Sequence, residues 1–351
     1  MNPAAAAAET GLELPFAAPV AVSRALALGF RAMPWVSLGF GVGGAIFMDR
    51  SAGRAWLVAV AGLLGWGALA GLLLLNRIET ERLPRLRALA VKAARFASVT
   101  ANQNLLQLAL LFSLPFYFRA AVWAPGHFAF LLVVTAVAAV SLWDPLSEAL
   151  LRRPVAGLPL QAIASFAGLN AVLPMLGLSN RGSLWLAALL TALGLPLTIA
   201  GIAPRGRRVR DTSIALLAAL GVPLALLLGA GSLVPAAPLR IVAAGIGTGI
   251  ADRELTGAAE AFEGVPPKLY CYTAIGAPAG LHDALFHVWR REGEPSDRIA
   301  LTVTGGREQG FRTWSSKSGF GPQPVGEWSC TVETASGQVL GRRTIEITAA
   351  P

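Results

Sequence analysis

Charge is what this sequence has least of. Asp, Glu, Lys and Arg make up 14% of its 351 residues, against roughly 25% in ordinary soluble domains, and 54% are hydrophobic. A deficit of that size over so long a chain argues against a soluble globular protein and makes lipid the expected solvent. Cysteine and histidine are scarce too, with two and three copies. That is too few for a convincing metal site, so no metal and no cofactor are expected. The apolar runs hold no carboxylate near their middle, where a proton- or ion-coupled pump would place one. Catalytic motifs are missing as well. The run Trp314-Ser315-Ser316-Lys317 has neither the Gly-x-Ser-x-Gly elbow nor the Ser-x-x-Lys spacing. Residues 1–23 contain no Lys or Arg and include Glu9 and Glu13, so they do not read as a signal peptide.

What is present is a series of long apolar stretches. A membrane-crossing helix needs about 20 mainly apolar residues. Seven stretches fit that need: 34–48, 55–75, 104–123, 127–143, 157–178, 183–203 and 212–236. The first is short and extends toward Ala27 if Arg31 snorkels to the interface. The basic residues between the stretches alternate. Arg24 and Arg31, the cluster from Arg77 to Arg95, Arg152 and Arg153, and the cluster from Arg205 to Arg210 hold 14 of them. The intervening loops hold only Arg50, Arg54, Arg119 and Arg181. Such alternation predicts a cytoplasmic tail (1–26), a seven-span domain (27–237) and an extracytoplasmic domain (238–351), periplasmic in a cell with two membranes. Basic residues placed this way orient a membrane protein, and no nucleic-acid partner is expected. Between Arg77 and Thr100, Leu86, Leu89, Ala93 and Phe96 recur at helical spacing, which predicts a helix lying on the inner membrane surface.

Polar residues within the spans are few. Gln103 and Gln107 sit one turn apart in the third span, and Gln161 and Asn170 lie in the fifth. They either line a path for a small molecule or ion, or hydrogen-bond between helices. Asp144, Glu148 and Arg152 have the spacing of a ladder at the end of the fourth span. Gly39-xxx-Gly43 and Gly67-xxx-Gly71 allow close contact between the first two spans, or between copies in a homo-oligomer.

After Pro235 and Pro238 the pattern changes to short alternating runs. Strands are predicted near 240–250, 268–275, 284–291, 298–304, 310–316, 326–334 and 338–347, separated by Gly- and Pro-containing turns. Seven short strands in so small a domain point to an all-β, immunoglobulin-like Greek-key sandwich. Alternation puts Cys271 and Cys330 on inward faces of the second and sixth predicted strands, with Trp289 on the third. An external location would let a Cys271–Cys330 disulfide persist.

Near these strands His287, Trp289, Arg312, Trp314, Ser315, Ser316 and Lys317 combine aromatic faces, hydroxyls, cations and one imidazole. In a binding role the indoles would stack on a sugar or peptide while Arg312 and Lys317 hold anionic groups. In a hydrolase role Ser315 or Ser316 would need His287 within hydrogen-bond reach and a carboxylate behind it. The same residues also fit a packed strand pair with the indoles in or near the core.

The runs Arg253-Glu254-Leu255, Leu269-Tyr270-Cys271-Tyr272-Thr273, His287-Val288-Trp289, Arg312 to Lys317 and Gly326-Glu327-Trp328 resemble domain-of-unknown-function family 2914, over roughly 240–348. The membrane part, with Gln107 and Leu114-Pro115-Phe116-Tyr117, resembles the membrane domain of unknown-function family 5924. These resemblances imply architecture and no activity. The expectation is a non-enzymatic membrane protein of the cell envelope, set in the lipid bilayer and presenting its sandwich to a periplasmic protein, peptide or glycan. The alternative is a transporter or channel component with an external accessory domain.

Overall fold

The computed structural model describes residues 52–349. A helical bundle comes first: α1 (Ala52–Leu75), α2 (Arg85–Ala120), α3 (Pro125–Leu142), the short α4 (Asp144–Leu151), α5 (Pro154–Val172), α6 (Asn180–Ile202) and α7 (Arg208–Leu233). Four segments are long and apolar enough to cross a membrane: Gly53–Leu75, Pro125–Leu142, Ala156–Leu176 and Asn180–Ile202. The protein is therefore a membrane protein. The expected stretch 34–48 lies outside the described residues. Those at 104–123 and 212–236 fall largely within α2 and α7.

One helix corrects the sequence reading. The surface helix and the third span are a single helix, α2, of 36 residues. At 1.5 Å per residue it is roughly 54 Å long, well beyond the roughly 30 Å of hydrocarbon. The physical reason is local. Ala88, Ala90, Ala93, Ala94, Ala97 and Ala101 favour helix, and no Gly or Pro separates Arg85 from Ser113. Its basic first third does useful work on α1. The Arg95 guanidinium donates to the Leu75 carbonyl (3.0 and 2.8 Å) and to that of Ile78, closing the C-terminal end of α1 with a cation.

Small residues set the helix packing. A Cβ on Gly194 would stand 2.3 Å from the Trp66 ring, and one on Gly168 would meet Ala109 at 3.0 Å. Gly62 of α1 faces Ser165 and Leu169 of α5, and Gly157 faces Leu69, so α1 and α5 run antiparallel. Helices alternate in direction through the bundle. The basic connections 76–84 and 203–207 therefore share one end, and the connections 121–124 and 177–179 share the other.

At that second end sits a two-sheet β domain. Its strands are β1 (Arg240–Ala251), β2 (Glu254–Ala258), β3 (Ala261–Glu263), β4 (Leu269–Gly276), β5 (His282–Arg291), β6 (Glu294–Thr304), β7 (Phe311–Lys317), β8 (Gly326–Thr334) and β9 (Val339–Thr348). One sheet has the order β2-β1-β4-β7, the other β3-β9-β8-β5-β6. The seven expected strands are all present. The two additional ones, β2 and β3, are short. β2 follows a tight hairpin in which Asp252 and Arg253 both take positive φ (49° and 61°), the conformation a two-residue turn requires.

The sandwich interior has two apolar clusters. One holds Ile246, Leu269, Trp289, Trp328, Ile345 and the cysteines. The other holds Ile275, Leu281, Leu285, Val303, Val332 and Leu340, together with Ala236 and Leu239 of the segment leading out of α7. The connection is thus part of the core.

Candidate functional site

Strand alternation divides the predicted binding set in two. On β7, Ser315 and Lys317 point inward and are buried, while Trp314 is 39% exposed and Ser316 is exposed. From β5, His287 and Trp289 are fully buried. The seven residues therefore do not form one site.

The inward members form a polar layer between the two apolar clusters. His287 Nδ1 lies 2.8 Å from Ser315 Oγ, and its Nε2 lies 3.0 Å from Thr273 Oγ1. Trp289 Nε1 donates to Ser315 Oγ at 3.2 Å. Burial pushes the His287 pKa down from 6.5 to about 4, so the imidazole is neutral at neutral pH. A serine and a histidine do meet here, but Thr273 stands where a hydrolase would place a carboxylate, and the layer is sealed from solvent. Next to it the Cys271–Cys330 disulfide joins β4 to β8, and so one sheet to the other. The two sulfurs and His287 offer atoms within 4.8 Å of one another. Bonded to each other, the sulfurs have no thiolate to give a metal, and the group does not fit one. Lys317 ties the sheets a second time. Its ammonium pairs with Asp297 of β6 at 2.5 Å, donates to Ser296 and lies 5.5 Å from the Trp328 ring. That ammonium holds the Asp297 carboxyl below its ordinary pKa.

The outward members belong to a different surface. Trp314 pairs directly with Tyr272 across β7 and β4, Ser316 with Tyr270, and Arg312 with Ala274, so these side chains share the outer face of the four-stranded sheet. Glu254 of β2 completes it, pairing with Arg312 at 2.9 Å and accepting from the Tyr272 hydroxyl at 3.1 Å. Burial, followed by that carboxylate, raises the Tyr272 pKa. Lys268 lies over the Tyr270 ring at 5.7 Å. The face thus presents an accessible indole, a phenol and fixed charges. The two tyrosines were legible only as part of a strand, since their neighbours on β7 are some 40 residues away in the chain.

The intramembrane amides go elsewhere. Gln103 and Gln107 of α2 both donate to the Ser141 carbonyl of α3, at 2.9 and 2.7 Å, and Gln103 also bonds Asp144. Asp144 is therefore not part of the expected ladder, whose remaining rung is Arg152–Glu148 at 2.5 Å. Gln161 donates to Ser165, which donates to the Gly62 carbonyl at 2.7 Å. Asn170 donates to the Tyr117 hydroxyl, which donates to the Ala167 carbonyl, both at 3.0 Å. These are three separate ties, α2–α3, α1–α5 and α2–α5. Gly67 and Gly71 have no neighbour within 4 Å of an added Cβ, while Gly39 and Gly43 lie outside the described residues.

A further polar cluster had no signal in the sequence. Gln338, in the β8–β9 turn, accepts from Asn180 Nδ2 at 2.5 Å and donates to the Val234 carbonyl at 2.9 Å. Asp283 of β5 accepts the Asn180 backbone N–H at 2.7 Å, capping the start of α6. Burial raises the Asp283 pKa, against the two N–H groups that lower it. The ends of α6 and α7 are clasped to the sandwich by side chains more than a hundred residues away.

No curated protein matches the chain. Residues 282–347 match a protein family of unknown function, DUF2914. That match begins at β5, so the Arg253-Glu254-Leu255 and Leu269 to Thr273 runs fall before it. Residues 21–264 match the model of a second family of unknown function, DUF5924, which extends past the helices through β1 to β3. With more than half of its length matched, the chain belongs to the DUF5924 family.

Proposed function

We propose that this is a non-enzymatic envelope protein whose seven spans anchor a periplasmic, immunoglobulin-like sandwich and present it to a peptide, protein or glycan partner. The observation that carries this reading is the outer face of the four-stranded sheet. There Trp314, Tyr270, Ser316 and the Arg312–Glu254 pair are held rigidly, with the indole open to solvent. An exposed indole on a rigid strand is a good stacking surface for a sugar ring or a peptide side chain. Orientation rests on the alternation of the helices, which sets the arginine-rich connections opposite the sandwich, together with the positive-inside rule. The order β1-β4-β7 against β9-β8-β5-β6, with the disulfide joining β4 to β8, supports the Greek-key assignment. The transport reading has less behind it, because the intramembrane amides tie helices in pairs instead of converging on one cavity.

The test is binding by full-length protein in nanodiscs to arrays of envelope glycans and peptides. Trp314→Ala and Arg312→Ala are expected to abolish capture without changing membrane insertion. Capture that survives both changes, or is lost instead with Asn170→Leu, would overturn the assignment.

A further inference from the structure

An apolar groove runs along the helices, separate from every polar feature above. It lies between α3, α5, α6 and α7, has a volume of about 500 Å³, and exposes only apolar surface, Thr191 being the one polar residue among the described ones in its wall. Phe130 and Val134 of α3, Ala162 and Phe166 of α5, and Ala192 of α6 line it, with α7 contributing Ala219 at one level and its last residue Leu233 at another, and Val234 just beyond. The rise along α7 from Ala219 to Leu233 is roughly 21 Å. Length and volume together give a mean cross-section of roughly 20 Å², the width of one hydrocarbon chain. The groove is also continuous with the lipid-facing surface of the bundle. Val133 and Leu233 on its rim are 46% and 43% exposed, as apolar residues facing a bilayer are.

From this geometry we infer that the groove holds one hydrocarbon chain of a membrane lipid, lying along the helices as an ordered part of the bundle. A polar or charged ligand would have to lose its hydration with at most the Thr191 hydroxyl in return. A flat ring system would not follow a slot this long and narrow. A lipid chain fills the slot without any such cost and restores the contacts that an empty groove of this size lacks. Val234 couples the groove to the clasp, since its carbonyl accepts from Gln338.

The experiment is native mass spectrometry of the full-length protein after extensive detergent exchange. It is paired with photolabelling in nanodiscs by a phospholipid carrying a diazirine in its acyl chain. A retained lipid is expected, with labels on the peptide containing Ala162 and Phe166. Ala162→Phe and, separately, Ala192→Phe should each eliminate the retained lipid and the label, while labelling of the outward-facing Leu132 and Leu197 persists. Labels confined to Leu132 and Leu197 in the unaltered protein would overturn the inference. So would retention unaffected by either filled variant, or the chain's own residues 1–51 occupying the groove in place of lipid. Should one filled variant fail to fold, the other and the unaltered protein still decide.

Discussion

The bundle and the sandwich both bury polar side chains, and they pair them differently. In the bundle each relay of donors ends on a backbone carbonyl: Gln103 and Gln107 on Ser141, Asn170 through Tyr117 on Ala167, Gln161 through Ser165 on Gly62. In the sandwich's inner layer the partners are other side chains: Trp289 donates to Ser315, and His287 is hydrogen-bonded between Ser315 and Thr273. The cause is backbone geometry. A helix carbonyl keeps a second lone pair on the helix surface, and a small residue beside it lets a neighbouring side chain reach that lone pair. A strand aims its carbonyls and N–H groups within the plane of the sheet, perpendicular to its side chains. Inward polar groups between two sheets must therefore find each other.

The comparison also says where the protein is fragile. Replacing both cysteines by alanine removes the bridge between sheets, which spans 59 residues of sequence. Chain entropy alone makes that worth about 4 kcal/mol, and urea unfolding of the β-sheet signal in full-length protein is the measurement. Next comes the histidine layer. The folded-state pKa of His287 is about 4 against 6.5 for the free side chain. Its contribution is therefore complete above pH 6.5 and is lost as pH falls toward 4, by about 3 kcal/mol. His287→Leu should flatten that dependence; an unchanged pH profile would show that the layer does not control it. Ser315→Ala, which strips partners from both His287 and Trp289, should cost roughly 1–3 kcal/mol.

The clasp between the two regions ranks third. Gln338→Ala leaves Asn180 and the Val234 carbonyl short of partners, at roughly 1–3 kcal/mol. It should separate sandwich and bundle unfolding into two calorimetric steps. Within the bundle, Asn170→Leu should cost only about 0.6–1.7 kcal/mol, because helices dissociated in lipid find other partners; steric-trap unfolding reads this directly. A cost well above the serine variant's would break the contrast between the two regions. Trp314→Ala should cost stability only about 1 kcal/mol, since its side chain is 39% exposed and lies outside both apolar clusters. Its effect belongs to binding.

Much of this architecture was legible in the residues. Alternation located seven strands and turned Cys271 and Cys330 toward each other, because a strand's period of two depends on nothing outside it. Apolar length located the four membrane-crossing segments for a similar reason. The same periodicity misled at Arg77 to Thr100: helical spacing was read correctly, but nothing in it says whether one helix ends before the next begins. For the binding set, side-chain chemistry suggested one cluster, whereas pleating sends Ser315 and Trp314 to opposite sides of a sheet.

The amino-acid sequence by itself determined four segments that must leave water, seven of the nine strands, and the inward faces of Cys271, Trp289 and Cys330, since these follow from composition and local period. Only the tertiary structure decided that His287 meets Ser315 and Thr273, that Gln338 and Asp283 hold the ends of α6 and α7, and that Tyr270 and Tyr272 share a face with Trp314. Each of those contacts joins separate elements, and their pairing is set by sheet order and domain docking, which no local pattern encodes.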